Sequence, residues 1–62
     1  MTGAELRTVR HLLGLSVIGL ARRLGWQDRS GGREIRRMEN GTKDVPDTVR
    51  EYLIDEMNKG ET

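Results

Sequence analysis

At 62 residues and 7.1 kDa the chain has room for one small domain. It has no Cys and a single His, which excludes disulfides, thiolate metal sites and cysteine nucleophiles and gives no reason to expect a metal or a cofactor. Aromatics are limited to Trp26 and Tyr52, so the expected core is too modest to hide a small-molecule substrate cavity, and the chain reads as a non-enzyme. No apolar run approaches the ~18 residues of a membrane span and no signal peptide is visible, so the expected location is cytoplasmic.

The net charge of +1 conceals a division. Residues 1–43 carry nine Lys or Arg against four acids, whereas residues 44–62 carry two against six. Six of the arginines fall within residues 22–37. A basic half of this kind suits a polyanion, and a solvated, salt-bridged surface is the plainer alternative.

Thr2-Gly3-Ala4-Glu5 is a T-x-x-E capping box, and Leu6, Val9 and Leu13 follow on one helical face until Gly14. Ser16 caps a second helix with Leu20, Ala21 and Leu24 inward, stopping at Gly25. The short connection predicts that the first two helices cross closely, with Gly19 and Ala21 small enough to allow it. Residues 26–32 read as a glycine-rich loop, with a third helix starting near Ser30 or Gly31, burying Ile35 and Met38, and closing at Asn40-Gly41. Pro46 and Asp47 open a fourth, whose stripe is Val49, Tyr52, Leu53 and Met57. The pattern predicts an all-α fold of four to five short helices, one domain over residues 1–58 and a frayed tail over 59–62.

Two short helices joined by a glycine turn, followed by an arginine-faced helix, outline a helix-turn-helix. Three stretches extend the likeness: LRTVRHLLGLS at 6–16, LARRLG at 20–25 and IRRMENGTKDVP at 35–46. Together they resemble the Cro/cI-type (XRE) DNA-binding domains of lambdoid phage repressors and small bacterial regulators. The resemblance covers residues 6–46 and implies a lambda-repressor-like fold, operator binding and a bacterial or phage-encoded chain. Three features depart from it. Val17 stands where the family usually has a phosphate-holding Gln, the loop after Gly25 is about four residues longer, and a fifth helix does not follow the fourth.

A major groove admits one α-helix, and guanine offers it two acceptors. Arg33 and Arg37, four residues apart on the third helix, are therefore the expected base readers, with Gly32 letting the backbone approach at the preceding reader position. Ser16, Arg29, Ser30, Arg36 and Lys43 are the expected phosphate contacts. The resemblance further implies that Arg10 pairs with Glu39 to lock the first helix to the third. Trp26 is expected to plug the junction of the second and third helices, and His11 and the acids Asp44, Asp47, Glu51 and Asp55 to be solvated.

The expected function is sequence-specific transcriptional regulation, most simply repression, by a homodimer on near-palindromic double-stranded DNA. Tyr52, Ile54 and Met57 would form the dimer interface, because Ile54 lies off the Val49–Leu53 stripe. The alternative is a protein-interaction module of the antitoxin or antiactivator type, for which Val17, Ile18 and Ile54 would have to form one exposed apolar patch.

Overall fold

The computed structural model describes residues 1–26 and 29–59, Arg29 through its backbone alone. Asp28, the Arg29 side chain and tail residues 60–62 lie outside the described residues. The regular elements are α1 (Gly3–Leu12), α2 (Val17–Arg23), α3 (Arg29–Glu39) and α4 (Asp47–Lys59), with no strand among the described residues. The described residues are all-α and form four helices. No helix among them is long and apolar enough to cross a membrane.

The helix ends lie where the sequence supplies partners for free backbone groups. Thr2 Oγ1 accepts from the Glu5 N–H at 3.1 Å while Glu5 Oε1 accepts from the Thr2 N–H at 2.9 Å. That backbone bond is the main reason the Glu5 carboxyl is held below its usual range. Ser16 Oγ accepts from the Gly19 N–H at 2.9 Å and opens α2. The first three helices close alike: Gly14, Gly25 and Gly41 take φ of 71°, 84° and 83°, and the residue after each donates its N–H to a carbonyl five positions back. This closure satisfies helix-end carbonyls and turns the chain sharply.

Two helix limits differ from expectation. Arg29, placed in the loop by its polar and glycine-rich neighbours, is the first residue of α3. α4 runs through Lys59, so Lys59, expected in the frayed tail, is helical. Lys59 pairs there with Asp55 at 3.6 Å and Glu56 at 3.4 Å, supporting the last turn.

The core is formed by Leu6, Leu20, Ala21, Ile35, Met38, Val49 and Leu53, so every helix contributes to it. Met57 does not join it, being 42% exposed. At 3.6 residues per turn a residue eight positions after Val49 is rotated about 80° from it, enough to leave the buried stripe. Ile54 is exposed as its position off that stripe requires, and Tyr52 is half-buried against the core.

α3 packs most extensively against α2 and then against α1, while α4 packs against α1. The expected close crossing of α1 and α2 is replaced by this arrangement. Ala21 faces α3, where its Cβ lies near Gly31, and Gly19 faces its own cap residue Ser16. The start of α1 meets the end of α3 at Gly3: a Cβ there would fall 2.3 Å from the Met38 carbonyl oxygen and 2.8 Å from that of Glu39. The amide end of one helix thus abuts the carbonyl end of another, a favourable alignment of helix dipoles.

Arg10 fixes the same junction. Its Nε donates to Glu39 Oε2 at 2.7 Å and its Nη2 to Oε1 at 3.1 Å, while Nη1 donates to the Leu15 carbonyl at 3.0 Å. Both side chains are about nine-tenths buried. Removing one partner of a buried pair costs ~3–5 kcal/mol, whereas replacing both with apolar groups is often neutral. Arg10→Met is therefore expected to lose most of the stability of the domain in urea denaturation, and Arg10→Met with Glu39→Leu to regain much of it. Equal loss in the single and double variants would show that the uncompensated carboxylate is not what the single change exposes.

Candidate nucleic-acid interface

The helical period sorts α3 into two faces. Gly31, Ile35 and Met38 are buried, and Arg33, Arg36 and Arg37 are exposed on the far side. The inward residues fix the helix while three guanidinium groups are left facing solvent.

Those guanidiniums sit in unlike surroundings. Arg33 and Arg36 line a shallow cleft of about 220 Å³ with Gly32 and Ile18, between α2 and α3. Among the described residues neither has an ion-pair partner. Arg36, expected to contact phosphate rather than bases, shares this cleft with Arg33. Arg37 lies 3.6 Å from Glu34 one turn earlier. The same Glu34 carboxylate accepts a short hydrogen bond from Lys43 Nζ, in the turn after α3. The Lys43 hydrogen bond is the largest cause holding the Glu34 carboxyl below its usual range, with the charges of Lys43, Arg37 and Arg33 adding to it.

Gly32 lines this cleft with its missing side chain turned toward α2. A Cβ there would stand at ordinary contact distance from Ile18, 3.5 Å, and Val17, 3.6 Å, so its open side faces α2. Gly31 is the tighter neighbour: a Cβ there would lie 2.7 Å from the Trp26 carbonyl oxygen, 2.9 Å from Trp26 Cβ and 3.1 Å from Ala21 Cβ. Trp26 is half-buried against the core at this junction, and its N–H closes α2 on the Ala21 carbonyl at 2.8 Å. It therefore sets the angle between α2 and α3.

The remaining predicted residues lie around this face. Ser16 and Ser30 are exposed, the first with its oxygen occupied by the helix cap. His11 and the acids Asp44, Asp47, Glu51 and Asp55 are all exposed. Val17, unlike Ile18, is half-buried and packs against the core, so Val17, Ile18 and Ile54 do not form one equally exposed patch. A second depression, of about 350 Å³ along α1, is lined by Met1, Ala4, Glu5, Thr8 and Val9, with no Lys or Arg among them.

Two site features escape the sequence reading. Pairing of Glu34 with the arginines of its own helix is the plainer alternative that the sequence offers, Arg37 lying at i,i+3, but its contact with Lys43 depends on the turn at Gly41 and is not legible there. Gly31 looks like loop punctuation, and its need to be small appears only once Trp26 and Ala21 are placed against it. Comparison with family models, curated proteins and solved structures finds no match to this chain.

The adjacent glycines give opposite expectations. Replacing glycine by alanine within a helix gains about 1 kcal/mol in propensity. At Gly32 the added methyl meets ordinary contacts, so Gly32→Ala should raise the melting temperature. At Gly31 it meets backbone, where overpacking typically costs ~1–3 kcal/mol, so Gly31→Ala should lower it. Thermal denaturation followed by circular dichroism checks the pair, and a stabilising Gly31→Ala would show that the α2–α3 junction has slack.

Proposed function

We propose that this chain is a sequence-specific DNA-binding regulator, most simply a repressor, that reads the major groove with the outward face of α3. The observation that carries the reading is that face: three exposed arginines on a helix anchored by its other side, two of them without a carboxylate partner among the described residues. Guanidinium forks match the O6 and N7 acceptors of guanine and also bind phosphate. Arg33 and Arg37 are assigned to bases and Arg36 to phosphate. Lys43 reaches phosphate when it leaves Glu34, and the Ser16 hydroxyl, whose oxygen serves the cap, still has its proton to donate. Ser30, exposed on the first turn of α3, and Arg29 beside it complete the expected backbone contacts. The resemblance of residues 6–46 to phage-repressor domains points the same way.

Arg33→Ala and Arg37→Ala should each cost ~1–3 kcal/mol on the preferred site and relax the preference at one G·C pair. Selection of bound sites from a random duplex pool supplies that site and then compares the variants on it. An unchanged preference in both would remove the base-reading assignment.

One helix in a groove reads too few base pairs to select a site in a genome, so the functional unit is proposed to be a two-fold dimer. The exposed Ile54 and Met57, with half-buried Tyr52 beside them, supply apolar material on α4. Half-site centres about 34 Å apart, one turn of the duplex, follow from that symmetry. Ile54→Glu should yield a monomer in sedimentation and abolish cooperative binding; a monomeric parent at high concentration would overturn the dimer.

A protein partner is the second reading, and Ile18 is the residue that favours it, being 57% exposed on α2. A gel shift with random duplex DNA at low salt separates the two readings, since absence of any retarded species would favour the protein partner.

A further inference from the structure

Glu34 occupies an unusual place for an acid. It lies on the helix assigned to DNA, one turn before Arg37, and its side chain is 27% exposed between two cations that are each about half exposed. One oxygen faces Arg37 and the other Lys43. A single carboxylate thus engages two of the cations best placed to meet a polyanion, while Arg33 and Arg36 remain uncommitted among the described residues.

We propose that Glu34 is an internal counter-anion that holds Lys43 and Arg37 back from DNA in general and so sets the ratio of specific to non-specific binding. The inference rests on the DNA-binding reading above. Non-specific affinity comes from phosphates neutralised by Lys and Arg, each contact releasing counterions. A cation already neutralised by Glu34 releases few, so on random duplex both cations gain little by leaving it. On the preferred site Arg37 gains a bidentate base contact absent elsewhere, which offsets the loss of Glu34. With the helix held in register by that contact, Lys43 also reaches the phosphate assigned to it above. Glu34 acts here as a positioning residue and needs no contact with DNA.

The test is a double-mutant cycle on the full chain, using random duplex DNA and the site selected from a random pool. Glu34→Gln keeps the shape of the side chain and removes its charge. It should tighten binding to random duplex several-fold at low salt and steepen the salt dependence by about one phosphate contact. The gain on the selected site should be smaller, so the specificity ratio falls. In a Glu34→Gln background, Lys43→Ala should erase most of the gain, and its cost on random duplex should be several-fold larger there than the cost of the same change in the parent. A gain that persists in full without Lys43 would mean that Glu34 merely repels phosphate, and would overturn the proposal. Melting curves confirm that each variant is folded. Binding by the parent with an unchanged Glu34→Gln variant also overturns it while leaving the DNA reading intact. Failure of parent and variant alike to bind any duplex removes that reading, and the inference with it.

Discussion

The Arg10–Glu39 pair is the constraint around which this small domain is arranged. One guanidinium reaches the last residue of α3 with two nitrogens and the turn after α1 with the third. Its three bonds therefore join the helix that opens the chain, the turn that launches α2, and the helix whose outer face is basic. The cost of burying these charges is met only because the geometry is bidentate and the remaining nitrogen has a carbonyl. Gly3 brings the start of α1 against the end of α3 through backbone contact. Arg10 and Gly3 thus hold opposite ends of α1 against the chain that follows it.

Glu39 fixes one end of α3, and the junction of Gly31, Trp26 and Ala21 fixes the other. Between them the helix has little freedom to roll. That matters for recognition, because a guanidinium fork tolerates only small errors in the plane and distance of its acceptors. Specificity of the proposed kind is then a property of how the helix is held as much as of which arginines it carries.

Much of this was legible in the sequence. The capping box at Thr2, the Ser16 cap and the turn glycines announce helix ends because each depends on residues close in the chain. The apolar stripes located the core for the same reason. What required three-dimensional structure was any relation among distant segments. Ala21 was correctly judged to need a close neighbour, but that neighbour proved to be Gly31 rather than α1. Met57 satisfied an i+8 rule that ignores the slow rotation of a helix stripe. Arg33, Arg36 and Arg37 were recognisable as an outward set, yet their partition between an open cleft and Glu34 was not, because it depends on where the turn at Gly41 places Lys43. The Arg10–Glu39 pair is the exception, a contact across 29 positions anticipated through likeness to a family rather than through local chemistry.

The two-faced character of α3 has a consequence for how such a protein changes over generations. Its anchoring positions, Gly31, Ile35, Met38 and Glu39, face the interior or the other helices, and its arginines at 33, 36 and 37 are exposed. Substitutions at exposed positions free of structural contacts usually alter stability by no more than about 0.5 kcal/mol. Residues 33 and 36 are therefore open to replacement without loss of the fold, whereas a change at 37 also alters the ion-pair network of Glu34. Drift in preferred ligand is expected to begin at the first two positions, leaving the scaffold beneath them unaltered.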